Sequence, residues 1–407
     1  AASDVYKRQT RTSSDHSGRP AGPDHEGPGL TTVGGPRRSL RLAVGIAAVV
    51  LGLLWLGRLY LQFREGAHVD GAWVFADSAM GIDLQAYLLA AERVLESGSP
   101  YAPELVTGAF APGPAELYYY APQLSVALTP LVDLDFADST ALWWAFRVVA
   151  LLTACALMPV APLLRALAFA VVAFSLPGLK DPIIGNVSLL LVLPMVLAWR
   201  WIDRPLGSVA MALAISLRPS LGLFLLWQLL RRRWRAAAWT VGAGLALVLL
   251  ALPFVGLDGH LDYLAVVRNL ELPTGNNENR DLGALLGHLG ASEAAVTVGR
   301  VVGIGLGLGV ILFSLRRERD VGLMVVLCAS LLVMPLLWSH YLATLIVPAA
   351  FLAQRLWPPL LLLPLASWVP LAAPLLVVAT IVLLFLVRDV SASPQAAPAE
   401  APAEAPA

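Results

Sequence analysis

Residues 42–61 read LAVGIAAVVLGLLWLGRLYL, a run of 20 residues in which Arg58 carries the one charge. A helix of this length spans about 30 Å, which is the hydrocarbon thickness of a bilayer. Similar apolar runs recur along the chain, and hydrophobic residues make up 58% of its composition while charged residues make up 14%. The runs are continuous and lack the alternation typical of membrane β-barrel strands. The sequence therefore predicts an all-α polytopic membrane protein.

The apolar runs predict about twelve transmembrane helices, with both termini on the cytoplasmic side. This orientation follows from the arginine clusters, because short cytoplasmic loops retain positive charge. We expect spans near residues 42–61, 140–160, 163–178, 184–200, 206–217, 219–230, 236–254, 296–315, 320–337, 341–354, 358–371 and 373–387. The apolar segment 121–132 is assigned to the outer interface, because a thirteenth span would reverse the arginine pattern that follows it.

Two polar segments flank the predicted transmembrane domain, which covers residues 42–388. Residues 1–41 are rich in Ser, Gly, Pro and charge, and residues 389–407 form a Pro, Ala and Glu repeat. Segments of such composition do not bury a core, so we expect both to be disordered. Two predicted outer loops, 62–139 and 255–295, are much longer than the cytoplasmic connections, so the chemistry is expected on the outer face.

Composition and short motifs argue against several classes of partner and cofactor. Lys and Arg together number 28, as do Asp and Glu, so zero net charge gives no indication of a nucleic-acid partner. Cys155 and Cys328 each lie inside an apolar run, so no disulfide framework is expected. Residues 133–135 spell Asp-Leu-Asp, a metal-binding motif of nucleotide-sugar enzymes, but no nucleotide-binding pattern accompanies it. We therefore predict neither a metal nor a cofactor.

The first outer loop holds a carboxylate, Asp83, close to the membrane. Apolar residues at helical spacing between Ala86 and Ser97, followed by Gly98 and Pro100, predict a short interfacial helix that ends there. Asp83 would lie at the amino end of this helix, where the helix dipole favours an acid. From the pattern alone, Asp83 is either a helix cap or a general base.

Short motifs follow Asp83 in a recognisable order on the predicted outer side. In chain order they are Asp83-x-x-x-Tyr87, Gly98-x-x-Tyr101, Tyr118-Tyr119-Tyr120-Ala121-Pro122, Gly185-Asn186-Val187-Ser188, Ser216-Leu217-Arg218-Pro219, Asn276-Asn277-Glu278-Asn279 and Trp338-Ser339-His340-Tyr341. This order resembles glycosyltransferase family 87, the polyprenyl-phosphate-mannose-dependent mannosyltransferases of actinobacteria, over roughly residues 42–388. The chain departs from the family pattern by Asn at 186 and 277 where Gln is usual, Arg for Lys at 218, and Ala for Pro at 121.

The resemblance implies a GT-C fold and an enzyme of the plasma membrane whose active site faces outward. It implies inverting transfer of a mannosyl residue from a polyprenyl phosphate to a glycolipid or envelope glycan, within the bilayer. Such a reaction needs a base for the acceptor hydroxyl and cations for the departing phosphate. The resemblance assigns Asp83 as the base and His340 as a second catalytic residue that pairs with the carboxylate or donates to the phosphate. The implied binding residues are Arg218, Arg280, Lys180, Tyr87, Tyr120, Asn186, Asn276, Asn277 and Trp338.

Other functions remain open from the sequence. The donor sugar could be another polyprenyl-linked sugar, such as arabinofuranose, because no residue type distinguishes it from mannose. A lipid or solute transporter or flippase would also be a helix bundle with buried arginine, although no internal repeat is visible here. The chain contains 26 Arg and two Lys, which is typical of GC-rich genomes and agrees with an actinobacterial source.

Overall fold

The structure, a computed structural model, describes residues 36–66, 68–69, 72–73, 81–111, 118–271 and 279–387. Helices dominate these residues, and the strand pairing among them is limited to His68–Val69 with Ala72–Trp73 and two isolated bridges. The all-α prediction is confirmed. The predicted disordered segments lie outside the described residues, except that the first helix begins at Pro36, before the predicted boundary at 42.

Sixteen α-helices occur within the described ranges. They are α1 (Pro36–Gly66), α2 (Ile82–Ser97), α3 (Pro103–Thr107), α4 (Pro122–Leu128), α5 (Phe136–Leu157), α6 (Pro162–Phe174), α7 (Leu176–Ile184), α8 (Ser188–Arg200), α9 (Pro205–Leu217), α10 (Leu223–Leu230), α11 (Trp234–Asn269), α12 (Leu282–His288), α13 (Glu293–Ser314), α14 (Arg319–Leu332), α15 (Ile346–Arg355) and α16 (Ala373–Leu386). Short 3₁₀ helices cover Thr129–Leu131, Pro219–Gly222, Ser339–Leu345, Pro358–Trp368 and Pro370–Ala372.

Several of these helices can cross a membrane. Within the part of the chain that is described, α5, α11, α13 and the Arg38–Gln62 portion of α1 are long and apolar enough, and α6 with α7 makes a fifth candidate if this pair, bent by 63°, is one span. A helical segment lies in each of the twelve predicted runs, but many are shorter than a full span. The chain is thus a membrane protein, and the number twelve stays a prediction.

A proline and a glycine break the regular course of two helices, and the sequence predicted the first of these breaks. Arg218 precedes Pro219, and helical backbone geometry is unfavourable for a residue that precedes proline. The helix α9 therefore ends at Leu217. Gly256 interrupts α11 with φ 61° and ψ −175°. α4 has seven residues, about 10 Å of helix, and is too short to cross a bilayer. The bent geometry at 218–219 agrees with the sequence-based expectation, and the position of segment 121–132 at the outer interface stays a prediction.

The arginines assigned to the cytoplasmic side contact shared partners. Arg233 and Arg319 both form ion pairs with Asp203, which lies between α8 and α9. Arg231 donates to the Arg317 carbonyl at 2.9 Å, and the charges of Arg233 and Arg319 are close enough to influence it. Arg218 lies at the other end of α9, about 20 Å away along a helix of 13 residues.

The chain from Arg41 onward forms one compact unit, and two of its packed apolar clusters bear on the site. The larger cluster joins α5, α6, α8, α14, α15 and α16 through apolar side chains. The smaller one packs α2 against α5 through Tyr87, Tyr101, Tyr118 and Trp143. Leu217 contacts both clusters, so the end of α9 lies where they meet.

The helix predicted after Asp83 is present as α2 and docks on the turn between α7 and α8, while its position at the membrane interface stays a prediction. It ends at Gly98, which has φ 79° and donates its N–H to the Val94 carbonyl. Gly81 precedes the helix and donates its N–H to the Ile183 carbonyl at 2.6 Å. A Cβ on Gly185 would lie 2.8 Å from the Leu84 Cβ, so glycine there permits the close approach.

Substitution of Gly185 by Ala should weaken this docking. Gly185 has φ 84°, a left-handed conformation that costs other residues about 1–3 kcal/mol, and the added methyl group would also collide with Leu84. We expect a lower thermal unfolding temperature for the purified Gly185→Ala protein in detergent. Gly305→Ala is the matched control, because nothing lies within 4 Å of that exposed helical glycine. An unchanged unfolding temperature for Gly185→Ala would contradict this docking contact.

Candidate active site

Asp83 lies in the first turn of α2 and faces the turn that connects α7 to α8. Its Oδ2 accepts a hydrogen bond from Nδ2 of Asn186 at 2.6 Å. The residue that caps the amino end of α2 is Gly81, not Asp83. Among the described residues, Asn186 is the hydrogen-bond partner of the Asp83 carboxylate. The carboxylate is therefore directed toward another part of the fold, which favours the base over the helix cap.

Burial changes the acidity of Asp83. It raises the pKa of Asp83 from its ordinary value of 3.8 to about 6, while the hydrogen bond from Asn186 and the charge of Arg147 lower it by less. A carboxylate with this pKa is still mostly ionised at neutral pH. It is also a stronger base than an exposed aspartate, which suits the removal of a proton from a hydroxyl group.

Two tyrosines contact the Asn186 amide, and two more hold the backbone beside it. Nδ2 of Asn186 lies 3.1 Å from the Tyr120 hydroxyl and 3.4 Å from the Tyr87 hydroxyl. Tyr101 and Tyr118 donate their hydroxyl protons to the carbonyls of Tyr120 and Ala121, at 2.8 and 2.7 Å. Tyr101 and Tyr118 thus hold the backbone that positions Tyr120 against the site.

Arg218 is the buried cation of the site, with 4% of its surface exposed. Its Nη2 donates to the Ser188 hydroxyl at 3.0 Å, and its guanidinium lies 4.0 Å from the centre of the Tyr341 ring. Among the described residues, its Nη1 has no hydrogen-bond partner. Burial of an unsatisfied charged donor is costly, so Nη1 is suited to an anionic ligand.

An aromatic cavity of about 220 Å³ opens over Arg218. Its lining includes five aromatic residues: Tyr119, Tyr120, Tyr263, Trp338 and Tyr341. Tyr119 and Tyr120 are stacked, with 5.7 Å between their ring centres. The cavity therefore offers flat aromatic faces beside a positive charge.

His340 lies beside this cavity in the 3₁₀ helix Ser339–Leu345. It is 6% exposed, stacks on Trp338 and meets the edge of Tyr341 at 4.6 Å between ring centres. Within the described part of the chain its Nε2 has no hydrogen-bond partner, so the predicted pairing with Asp83 is not seen. Arg218 and Lys180 are close enough to act electrostatically on His340.

A second polar cluster holds the segment that carries Trp338. Asn279 accepts the Leu337 N–H at 2.9 Å and donates to the Pro335 carbonyl at 3.1 Å. Arg280 donates its backbone N–H to the Leu337 carbonyl at 2.7 Å, and its buried Nε has no partner among the described atoms. The predicted binding residues Asn276 and Asn277 lie outside the described residues, so Asn279 and Arg280 are the part of that motif placed beside the site.

Three site residues were not predicted from the sequence: Arg147, Asp181 and Ser188. Arg147 of α5 is buried and donates Nη1 to the Asp181 carbonyl at 2.7 Å and to its carboxylate at 3.3 Å. The Asp181 Oδ2 in turn accepts the backbone N–H of Ser188 at 2.9 Å. The sequence held one signal for Arg147, which is its position inside the apolar run 140–160. Charges inside membrane segments are costly and are usually paired with another group.

The comparison with protein families bears directly on this site. The model of glycosyltransferase family 87 matches residues 118–339, which are 222 of the 407 residues. The chain belongs to glycosyltransferase family 87. The match includes Asn186, Arg218 and Trp338 but neither Asp83 nor His340. A comparison with curated proteins and one with solved structures find no match.

Membership in glycosyltransferase family 87 makes the protein a membrane glycosyltransferase, which uses a sugar donor and an acceptor at the bilayer. The transporter alternative loses its support. Described residues contain no group of three or more His, Cys, Asp or Glu side chains placed to bind a metal ion. The aromatic cavity, the buried Arg218 and the partly buried Asp83 are the chemical groups that the structure offers such a reaction.

Proposed function

We propose that this family 87 enzyme transfers a mannosyl residue from a polyprenyl-phosphate donor to a glycolipid or envelope glycan, at the extracytoplasmic face of the plasma membrane. One observation carries the proposal: a continuous hydrogen-bond chain joins Asp83 through Asn186 and Ser188 to Arg218. It links a potential base to a cation with an unused N–H group, which are the two groups that such a transfer requires.

Asp83 serves as the general base in this proposal. One carboxylate oxygen accepts the Asn186 hydrogen bond, and the other is left for the acceptor hydroxyl. The acceptor oxygen attacks the anomeric carbon from the face opposite the phosphate and forms the new C–O bond. The bond to the phosphate oxygen breaks, polyprenyl phosphate leaves with the electron pair, and the hydroxyl proton passes to Asp83. The anomeric configuration is inverted.

Arg218 stabilises the phosphate in this proposal. A buried guanidinium forms stronger hydrogen bonds to an anion than an exposed one does, because water does not compete. Nη1 of Arg218 and Nε2 of His340 are both unpaired among the described atoms, and both residues adjoin the Trp338 side of the cavity. His340 would donate a second hydrogen bond to the phosphate. A phosphate leaving group needs little further acid assistance.

A second cavity supports a donor with a hydrocarbon chain. This apolar groove, of about 830 Å³, lies between α4, α5, α8 and α9 and includes Leu142, Phe146 and Leu213. Leu217 lines both the groove and the aromatic cavity over Arg218. A lipid chain in the groove would therefore place its phosphate beside Arg218.

The arginine distribution supports the outward orientation. Arg218 and the site lie at the opposite end of α9 from Asp203 and the arginines that pair with it. Short loops on the cytoplasmic side of a membrane carry an excess of positive charge. The end of α9 that carries Arg218 would then face the cell exterior, where a lipid-linked donor and an envelope glycan can both reach it.

Asp83→Asn should abolish mannosyl transfer, because the amide cannot accept the hydroxyl proton. Loss of a general base lowers the rate by about 100- to 10,000-fold. The assay follows label from radiolabelled polyprenyl-phosphate mannose into glycolipid, in membranes that contain equal amounts of each variant. Asp133→Asn is the control, since Asp133 is an exposed aspartate on a turn.

Each other outcome of this assay is informative. Full transfer by Asp83→Asn would contradict the base assignment. Transfer from an arabinofuranose donor instead of mannose would change the sugar and keep the mechanism. No transfer by the parent enzyme from any polyprenyl-phosphate sugar would contradict the proposed function.

The rate should also depend on pH through Asp83. Burial raises the pKa of this carboxyl to about 6, and the active form is the ionised one. We expect kcat/KM to be constant above this pH and to fall as pH decreases through about 6, approaching tenfold per pH unit below it. The profile is measured with saturating acceptor and limiting donor. A profile that stays flat down to pH 4 would exclude a base with this pKa.

Ala127→Trp should obstruct the apolar groove. Ala127 is exposed on α4 and lines the groove, so a larger side chain fits without disturbing the core. Loss of contact with two methylene groups of the donor chain would raise KM by about tenfold. A donor with a chain too short to enter the groove should be unaffected. The control is Ala145→Trp, at an exposed position of α5 that does not line the groove. Equal effects of the two variants on KM would contradict the assignment of the groove to the donor chain.

A further inference from the structure

Ser188, the first residue of α8, makes both of its side-chain hydrogen bonds to site residues. Its fully buried hydroxyl donates to Oδ1 of Asn186 at 2.8 Å and accepts from Nη2 of Arg218 at 3.0 Å. A hydroxyl has one proton to donate, so these two bonds have defined directions. Ser188 is therefore the point at which the base side of the site meets the cation side.

The backbone of Ser188 determines how the Asn186 amide is oriented. The Ser188 N–H, which can only donate, is shared between Oδ2 of Asp181 at 2.9 Å and Oδ1 of Asn186 at 3.0 Å. The oxygen of the amide must therefore face Ser188, and the nitrogen must face Asp83. A flipped amide would bring its oxygen to 2.6 Å from the Asp83 carboxylate, where two acceptors repel each other.

Ser188 differs in this respect from other buried serines of the chain. The hydroxyls of Ser175, Ser314 and Ser330 each donate to the carbonyl three residues earlier, at 2.7–2.8 Å. The hydroxyls of those serines thus find their hydrogen-bond acceptors in the local backbone, as serine commonly does in and near helices. The Ser188 hydroxyl bonds instead to Asn186 and to Arg218. In the proposed function, Asn186 contacts the base and Arg218 contacts the phosphate.

We propose that Ser188 is a positioning residue for glycosyl transfer. It holds the Asn186 amide nitrogen on Asp83, and it holds the Arg218 guanidinium in place beside the aromatic cavity. This inference rests on the proposed function for the roles of Asp83 and Arg218. The contacts through which Ser188 acts do not depend on which sugar is transferred.

The direct test is an infrared titration of the Asp83 carboxyl in purified protein, with Asp83→Asn identifying its band. In Ser188→Ala the Asn186 amide is held less firmly, so it stabilises the carboxylate less. We expect the titration midpoint to move up by about half to one pH unit, which corresponds to one weakened hydrogen bond. Ser330→Ala, which removes an equally buried hydroxyl, should leave it unchanged. An unchanged midpoint in Ser188→Ala would overturn the proposal.

Two further variants separate positioning from a general effect on the fold. Ser188→Thr retains the hydroxyl and should titrate as the parent does. Ser188→Ala combined with Asn186→Ala should shift the midpoint no further than Asn186→Ala alone, because Ser188 acts through Asn186. Additive shifts would contradict this pathway. Other ionisable groups near Asp83 stay in place in all these variants: Arg147, Asp181, Tyr87, Tyr119, Tyr120 and Tyr341.

Kinetics give a second readout. Ser188→Ala should raise KM for the donor about two- to tenfold, because the Arg218 guanidinium loses the acceptor that orients it. The infrared titration needs no substrate. If the parent enzyme transferred no sugar, the proposed function would fail, while the titration would still decide whether Ser188 positions Asn186.

Discussion

Arg147 and Asp181 form a buried ion pair, with 3.3 Å between Nη1 and Oδ1, on which the geometry of the site depends. Two charges inside the protein are stable only when hydrogen bonds compensate for the loss of water. Here Arg147 also donates to the carbonyls of Asp181, Pro182 and Asn186, and Asp181 accepts the N–H groups of Ser188 and Leu189. The pair thereby determines the course of the backbone through the α7–α8 turn.

This turn carries the residues that connect two separate parts of the chain. Gly185 allows α2 to approach, Asn186 reaches Asp83, and Ser188 reaches Arg218. Arg218 is available because Pro219 ends α9 inside the protein. Broken helices thus bring a carboxylate and a cation into one hydrogen-bond chain, and the cation lines the aromatic cavity.

Local features of this arrangement could be predicted from the sequence, because they depend on neighbouring residues. The helix that begins near Asp83 and ends at Gly98, and the break at Arg218–Pro219, follow from spacing, glycine and proline. The contact between Asn186 and Asp83 joins residues 103 positions apart, and no local pattern indicates such a pair. Arg147 was missed for a related reason: its partners lie on another helix. The number of spans stays open, since short helices such as α9 do not reveal whether they cross the bilayer alone.

We propose that Asp83 and Arg218 serve one reaction from opposite sides of one site. An experimental structure of the enzyme with bound polyprenyl phosphate tests it most directly. We predict that the phosphate contacts Nη1 of Arg218, that the lipid chain enters the groove lined by Leu213 and Leu217, and that Asp83 stays bonded to Asn186. A phosphate bound away from Arg218, or at the end of α9 that adjoins Asp203, would contradict the account.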